Sequence, residues 1–379
     1  MVINMIYLDN AATTKPSEAA AVAMMKVVEE FGNPSSLHGA GLRAEKLINT
    51  AKQTIAAKLG GSPRALYFTS GGTEANNLAV IGAARARRRG GERVIVSAIE
   101  HPSVLEAARQ LEREGFDVRF APVTGEGRVD TDAIKALITP ETVVVSVMHV
   151  NNETGVIQPV EEIASAVKKA APKAVLHCDC VQSFGKLPIN INRLGADLIS
   201  ISAHKIHGFK GVGALYMKDP RVSPIIHGGE QQQGIRPGTE NIGGILAFAA
   251  AAAECHEDVA AMKKKRALMA AELAAEIGDI QINGSEDHNS GSVLNVSIMG
   301  IKAEILLHAL ERDGVYISTG SACSSHKPQP SHVLTAMGVP QRAITGAVRI
   351  SFSAATTEEE IKTAARAIAK ETAEIRRYM

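Results

Sequence analysis

The sequence predicts an α/β protein with a mainly parallel β-sheet, followed by a smaller α+β region. Three observations support this. Short apolar segments alternate with helical segments from about residue 65 to residue 180, an order typical of parallel strands joined by helices. Two apolar runs rich in β-branched residues follow between Asp197 and Met217, joined by a short loop. The regular alternation then stops after residue 254.

In chain order, the first region alternates between strand and helix. Strands are predicted at ALYFTSG, RVIVSAIE, TVVVSVMHV and AVLHCDC, and helices at TEANNLAVIGAARARRR, SVLEAARQLEREG and VEEIASAVKKAA. The later runs DLISISA and GVGALYM enclose a loop in which Lys205 stands between His204 and His207. Functional groups of such folds gather beyond the carboxyl ends of the strands, so we expect a site there.

The second region begins after an alanine-rich helix at about 242–254. The long amphipathic segment HEDVAAMKKKRALMAAELAAEIG is followed by SVLNVSIMG, KAEILLHALERDG and VRISFS. We predict a large domain over residues 15–255 and a small α+β domain formed by 1–14 and 256–379. Gly, Ser and Pro dominate residues 318–331, so this loop is expected to be exposed and mobile.

Charge and composition exclude several classes of protein. The 379 residues carry 41 basic and 40 acidic side chains, a formal net charge of +1, which gives no general attraction to nucleic acid or to an anionic membrane. The longest apolar run, Ile242–Ala253, is shorter than the ~20 residues of a membrane-spanning helix. The N-terminus has no basic or cleavable apolar segment, so a cytoplasmic location is expected.

The four cysteines suggest no disulfide framework in so long a chain. The segment HCDC, with His177, Cys178 and Cys180, is the strongest candidate for a metal site. Alternation along a strand sends both cysteines to the face opposite Asp179, and no second close pair of ligands follows. We therefore predict that these cysteines pack in the core and that the chain has no metal site.

Lys205 and Asp179 carry the main chemical prediction. Asp179 ends an apolar run 26 residues before Lys205, which lies in a loop between apolar strands. A loop lysine is ordinarily solvated, whereas a buried aspartate needs a partner. A lysine that forms a Schiff base and an aspartate that keeps a pyridine nitrogen protonated are the two anchors of pyridoxal 5′-phosphate (PLP) chemistry.

A phosphate site is predicted at TSGGTEANN, where a strand, a glycine turn and a helix follow one another. Gly72 and Thr73 stand at the start of this helix, where backbone N–H groups and the helix dipole favour an anion. Ser202 and His204, close to Lys205 in the chain, would add donors to the same phosphate. By itself the turn is weak support, because many strand–helix turns have this composition.

A series of short motifs carries a resemblance to a known family. In chain order they are YLDNAATT, GNPSSLHGAG, TSGGTEANN, EHPSV, VNNETG, DCVQS, SAHKIHGFKG, IRPGTEN, GSACSS and VRISFS. Together they resemble the cysteine desulfurases of the nitrogen-fixation and iron–sulfur-cluster type, which are PLP enzymes of the class V aminotransferase family. The resemblance implies fold type I of the PLP-dependent transferases, with a mainly parallel, seven-stranded sheet in the large domain.

The resemblance also implies a role for each matching residue. Lys205 would form the Schiff base and Asp179 would hold the pyridinium nitrogen. The other predicted cofactor contacts are His101 on the ring face, Gln182 at the phenolic oxygen, and Gly72, Thr73, Ser202 and His204 at the phosphate.

Three further residues are matched to the substrate and to a second subunit. Thr239, in RPGTEN, resembles a residue that the opposite subunit contributes to the phosphate, so a homodimer is implied. Asn152 and Arg349 resemble the clamp for the substrate carboxylate, for which the planar guanidinium of arginine is suited.

Cys323 decides the predicted reaction. It lies in a polar loop, where packing gives little reason for a thiol, and GSACSS resembles the desulfurases with a long mobile loop. The resemblance implies that Lys205 removes the α-proton of L-cysteine, that Cys323 attacks the substrate sulfur and that His101 moves protons. The expected products are L-alanine and a persulfide on Cys323, which passes its sulfur to an iron–sulfur scaffold or a thiolation protein.

Alternatives stay open on the sequence alone. A selenocysteine lyase or an aminotransferase of the same fold would share most of these motifs, and a non-catalytic sulfur relay could retain a vestigial pocket. Phe209, Glu230 and Cys180 depart from the residues common in the family, but none occupies a position with a proposed chemical role.

Overall fold

The computed structural model describes residues 5–255, 258–320 and 330–378. Their strands belong to three sheets. The strands are β1 (Ile6–Tyr7), β2 (Leu66–Thr69), β3 (Arg93–Ser97), β4 (Asp117–Ala121), β5 (Thr142–Ser146), β6 (Val175–Asp179), β7 (Leu198–Ser202), β8 (Gly213–Met217), β9 (Ile280–Asn283), β10 (Val293–Ile298), β11 (Val315–Tyr316), β12 (Ser318–Thr319) and β13 (Ala347–Ser351).

The helices follow the predicted alternation. They are α1 (Glu18–Met25), α2 (Gly39–Lys58), α3 (Gly72–Asn77), α4 (Ala83–Arg87), α5 (Pro102–Arg113), α6 (Thr131–Leu137), α7 (Val160–Ala170), α8 (Ile191–Leu194), α9 (Ile242–Glu254), α10 (Val259–Glu276), α11 (Ala303–Arg312), α12 (His332–Ala336), α13 (Gln341–Thr345) and α14 (Glu358–Arg376). A π-helical turn, Leu78–Gly82, joins α3 to α4. No helix of the described ranges combines the length and the hydropathy that a bilayer crossing requires.

The main sheet has seven strands in the order β2-β8-β7-β6-β5-β3-β4. β8 is antiparallel to both of its neighbours, and the remaining pairs are parallel. The prediction of a mainly parallel sheet is therefore confirmed. Lys205 ends a short 3-10 turn, Ala203–Lys205, in the connection between β7 and β8.

Helices cover both faces of the main sheet. Adjacent strand residues point to opposite faces, so Val145 of β5 joins the core beneath α2, α7 and α9, while Val144 joins the core beneath α3 and α5. Cys178 and Cys180 both belong to the first of these cores. Asp179 lies between them in the strand, and its side chain is therefore turned to the other face, toward α3.

The C-terminal region has its own sheet and core. β12, β13, β10 and β9 form an antiparallel sheet, and β1 pairs with β11 in a parallel ribbon. Ile6 and Leu8, from the start of the chain, share a core with residues of α10, α11 and α14. The domain boundaries given above, 15–255 and 1–14 with 256–379, stay a prediction.

Candidate active site

One cavity of about 330 Å³ lies at the carboxyl ends of β6 and β7. All of the predicted site residues except Thr239 and Cys323 line it. These are Gly72, Thr73, His101, Asn152, Asp179, Gln182, Ser202, His204, Lys205 and Arg349. The cavity also takes in residues that sequence reasoning did not select, among them Ala11, Ala12, Asn76 and Ser103.

The Lys205 amine is held by the N-terminal segment of the chain. Its Nζ donates to the carbonyl oxygens of Ala11 at 2.7 Å and of Ala12 at 2.6 Å. The same segment is tied to the lysine turn by Thr14, whose backbone N–H donates to the His204 carbonyl at 2.9 Å. The segment DNAATT, which sequence reasoning used only as a family motif, therefore places the amine at the cavity wall.

Asp179 has a partner for each carboxylate oxygen. Oδ1 accepts from the backbone N–H of Val181 at 2.9 Å, and Oδ2 accepts from Nδ2 of Asn76 at 2.8 Å. The same amide nitrogen donates to Oγ of Ser103 at 2.9 Å. The sequence did not single out Asn76 as a site residue. A polar side chain on the buried face of the helix that contains TEANN could have indicated it.

His101 caps the N-terminus of α5 and turns its ring toward Ser103. Its Nδ1 accepts from the Ser103 backbone N–H at 3.2 Å and lies 2.8 Å from Oγ of the same residue. Burial lowers the pKa of His101; the charge of Asp179 opposes this shift and that of Lys205 adds to it. The imidazole is therefore mainly neutral near pH 7, and since Nδ1 accepts from Ser103, its proton is on Nε2.

The part of the cavity lined by Gly72, Ser202 and His204 has room and an unpaired donor for an anion. Oγ of Ser202 is buried and has no hydrogen-bond partner in the part of the chain that the structure describes. A Cβ added to Gly72 would lie 2.9 Å from Cγ2 of Val181, so glycine keeps this wall open. Burial, with the charge of Lys205, lowers the pKa of His204 to about 4, which makes its imidazole neutral. These features fit the phosphate of PLP.

Arg349 is placed by a residue that the sequence did not indicate. Its Nη2 donates to Oδ1 of Asp9 at 2.8 Å, and its Nη1 donates to the carbonyl of Asn152 at 3.2 Å. Nε of Arg349 is buried and has no partner among residues 5–255, 258–320 and 330–378. The guanidinium is thus fixed at the cavity beside Asn152, with a donor left for a carboxylate.

Two predicted residues are not brought to the cavity. Thr239 is exposed and lies outside the residues that line it. Cys323 lies outside the described residues, as does most of the loop 318–331. The roles predicted for these two residues stay predictions.

Cys178 and Cys180 lie on the other side of the sheet. Their sulfur atoms are 3.6 Å apart and buried, as predicted for core residues. Within the described ranges, no group of three or more His, Cys, Asp and Glu side chains is arranged to hold a metal ion.

A seven-stranded, mainly parallel sheet with a lysine after one strand and an aspartate at the end of its neighbour defines a class of proteins, the PLP-dependent enzymes of fold type I. Residues 6–363 match the family model described as aminotransferase class-V. The chain belongs to this family, whose enzymes depend on PLP, and its curated relatives place it among the cysteine desulfurases.

The relatives match nearly the whole chain. A cysteine desulfurase IscS of Dictyoglomus turgidum is 40% identical over 362 residues, which are 94% of this chain and 91% of that protein. The cysteine desulfurase IscS of Methanosarcina thermophila is also 40% identical, over 94% of this chain and 89% of that protein.

Solved structures agree with these relatives. A NifS-like protein superposes with a TM-score of 0.91 at 35% identity, covering 99% of this chain and 100% of that chain. A structure of SspA in complex with cysteine has a TM-score of 0.82 at 32% identity, over 91% of this chain and 98% of that chain.

Proposed function

We propose that this chain is a PLP-dependent cysteine desulfurase that converts L-cysteine to L-alanine and captures the sulfur as a persulfide on Cys323. The observation that supports this most directly is the single cavity that contains Lys205, Asp179 and Arg349. One bound amino acid would therefore meet a Schiff-base lysine, a partner for the pyridine nitrogen of the cofactor and a guanidinium that binds carboxylates.

The residues of the cavity would hold PLP at both ends. Asp179 would contact the ring nitrogen, His101 the ring face and Gln182 the phenolic oxygen. The phosphate would be bound by Gly72, Thr73, Ser202 and His204, whose unpaired or neutral donors fit an anion. When bound, PLP supplies an electron-withdrawing ring next to the α-carbon of the substrate.

The chain itself supplies orientation and proton transfer. Arg349 and Asn152 bind the substrate carboxylate, and the contact of Arg349 with Asp9 keeps the guanidinium in place before substrate arrives. Lys205 Nζ then takes the α-proton, because the amine is already held at the cavity wall by two carbonyl oxygens. His101, mainly neutral near pH 7, carries its proton on Nε2 because Nδ1 accepts from the Ser103 backbone N–H, and we assign its part in proton transfer to this Nε2–H group.

Sulfur transfer is the step of Cys323. Its thiolate attacks the substrate sulfur, so that an S–S bond forms on Cys323 and the substrate's C–S bond breaks. The electron pair of the broken bond stays with the substrate carbon, which takes a proton and becomes the methyl group of alanine. The persulfide then passes its outer sulfur to the thiol of an iron–sulfur scaffold or a thiolation protein.

The proposal extends to the assembly and the cellular setting. We place the enzyme in the cytoplasm as a homodimer in which Thr239 reaches the phosphate of the partner subunit's cofactor. Exposed large apolar side chains concentrated near the N-terminus support a second subunit, because such clusters mark interfaces. They are Val22, Met25, Val28, Phe31, Leu37 and Leu42.

The test is to incubate the purified protein with L-cysteine and to search by peptide mass spectrometry for added sulfur on Cys323. The expected result is a persulfide on this residue and one alanine per sulfur released. Cys323→Ala should abolish both sulfide release and persulfide formation. A variant that still released sulfur from L-cysteine would contradict the role of Cys323, and retained transamination would favour an aminotransferase.

A matched pair of variants tests the cofactor site. Lys205→Ala should lose the absorption of bound PLP and all activity, whereas Lys168→Ala, on the exposed face of α7, should retain both. A colourless wild-type protein that contained no PLP by mass analysis would favour a non-catalytic sulfur relay. L-selenocysteine as a competing substrate would measure the preference that separates a desulfurase from a selenocysteine lyase.

A further inference from the structure

A second lysine lies beside the cofactor cavity without a role in the reaction described above. Lys186 lines a separate cavity of about 210 Å³ whose wall includes the side of Lys205. Thus Lys205 borders both cavities, and Lys186 stands behind it. Burial and the nearby charge of Lys205 lower the pKa of the Lys186 ammonium to about 7. Burying an ammonium group away from water costs free energy, so its polar contacts must compensate for that cost.

The contact that Lys186 makes is with Gln182. The two residues lie four positions apart in the turns that follow β6, and Lys186 Nζ donates to Oε1 of Gln182 at 3.1 Å. On its other side, the Gln182 amide donates from Nε2 to the carbonyl of Ala11 at 2.9 Å. That carbonyl also accepts from Lys205 Nζ at 2.7 Å. The two lysines and the glutamine are therefore joined in one hydrogen-bond network.

The two partners leave the amide only one orientation. A backbone carbonyl can only accept, so the NH₂ group must face Ala11, and Oε1 is then turned to accept from Lys186 Nζ. An amide nitrogen carries two N–H groups, and Ala11 uses one of them. Gln182 lines the main cavity, so its second N–H is available to an acceptor there.

We propose that Lys186 is a positioning residue for the cofactor, which acts by holding the Gln182 amide so that it offers an N–H donor to the phenolic oxygen of PLP. The inference rests on the proposed function, since it assigns that oxygen to Gln182. Without Lys186 the amide oxygen loses its donor, and only the Ala11 carbonyl still holds the amide. The amide then turns more easily so that its oxygen faces the phenolic oxygen, where two acceptors would repel each other.

A double-mutant cycle on PLP retention tests this inference. Lys186→Met keeps the length of the side chain but removes the donor, and Gln182→Met removes the amide. Each single variant should release PLP from the holoenzyme about five- to tenfold faster than wild type, the change expected for one hydrogen bond. The double variant should release PLP no faster than Gln182→Met alone, because Lys186 acts through Gln182.

Two further variants separate positioning from general packing. Lys186→Arg keeps a cationic donor and should restore most of the retention, and Lys168→Met, a matched change on the surface of α7, should leave it unchanged. Wild-type retention in a folded Lys186→Met would overturn the proposal. So would losses that multiply in the double variant, because Lys186 would then act independently of Gln182.

If Lys186→Met does not fold, Gln182→Glu tests the same point from the other side. The carboxylate accepts from Lys186 but offers no N–H group, so PLP release should be at least as fast as in Gln182→Met. Retention at the wild-type level would overturn the proposal. Failure of the PLP assignment on which the inference rests has a different signature, because the wild-type protein would then hold no PLP that borohydride can fix to Lys205.

Discussion

Two regions of the main cavity, the surroundings of Asp179 and the donors of Ser202 and Arg349, differ in how their polar groups are satisfied. Both oxygens of Asp179 have partners within the chain, Val181 and Asn76. Oγ of Ser202 and Nε of Arg349 are buried without a partner among the described residues, as is Oδ1 of Asn76. Buried polar groups are nearly always paired in folded proteins. The Asp179 carboxylate is therefore satisfied before a ligand binds, whereas the donors of Ser202 and Arg349 can be satisfied by the anionic groups of cofactor and substrate.

Asp179→Asn would remove the carboxylate proposed to hold the ring nitrogen and should have the largest effect on activity. The amide keeps the shape of the side chain but cannot stabilise a protonated pyridine nitrogen, so kcat should fall about 100-fold or more. The measurement is alanine formation at saturating PLP and L-cysteine. Asp197→Asn, a change of the same kind beside the opposite end of β7, should cost much less. Equal kcat values for the two variants would contradict the assignment.

Glu100→Gln would test a second buried carboxyl group, close enough to Asp179 to feel its charge. Burial raises the pKa of Glu100 to about 8, and its Oε1 accepts from Met148 N and Ser97 Oγ. The folded chain therefore keeps this proton between pH 4.5 and about 8, where the unfolded chain loses it. The free energy of unfolding should fall as pH rises through this window, by up to roughly 1.4 kcal/mol per pH unit.

The glutamine variant cannot ionise, so it should lack this part of the pH dependence. Urea unfolding of both proteins at about pH 5 and about pH 8 measures the difference. The free energy of unfolding of the variant, relative to that of wild type, should increase as the pH rises. Parallel pH profiles for the two proteins would show that Glu100 ionises normally in the folded chain.

Asn76→Ala would remove the amide that serves Asp179 and Ser103 together. A carboxylate oxygen and a hydroxyl then lose a partner inside the protein, so the free energy of unfolding of the apoenzyme should fall by about 1–3 kcal/mol. Ser103→Ala removes only one of these contacts and should cost less. An apoenzyme as stable as wild type after Asn76→Ala would mean that the two groups find other partners.

Ser202→Ala should show the opposite pattern to Asn76→Ala, with apoenzyme stability preserved and PLP affinity reduced. The apoenzyme loses a buried hydroxyl that has no described partner, so its stability should be nearly unchanged, while PLP should bind about fivefold more weakly. Ser200→Ala is a matched control on the same strand, because its hydroxyl is 2.9 Å from Nε2 of His177. That variant should lose stability but retain PLP. Weaker PLP binding in Ser200→Ala, together with lower stability in Ser202→Ala, would contradict the distinction between paired and unpaired groups.

The long, strongly apolar elements were accessible to sequence reasoning. β5, β6 and β7 are buried throughout, and their apolar runs were predicted as strands. The edge strand β4 (Asp117–Ala121) was not predicted, because its residues DVRFA include the exposed side chains of Arg119 and Phe120. Edge strands bury little surface and so leave a weak hydrophobic signal.

The candidate site divides in the same way. Lys205, Asp179 and the glycine turn before α3 were identified because their residue types and places in the strand order carry a chemical meaning. Asp9 and the Ala11 and Ala12 carbonyls were not identified as contacts, since nothing in DNAATT shows which later segment it touches. Backbone carbonyls in particular leave no trace in residue identity.

By itself the sequence determined the α/β class, the choice of Lys205 and Asp179 as the proposed cofactor residues, and the burial of Cys178 and Cys180 on the other face of the sheet. These features depend on local polarity and on the alternation of side chains along a strand. Only the tertiary structure decided that Asp9 holds Arg349 across 340 residues of chain and that Lys186 supports Gln182. The reason is physical: contacts between distant segments depend on strand order and packing, which local residue patterns do not encode.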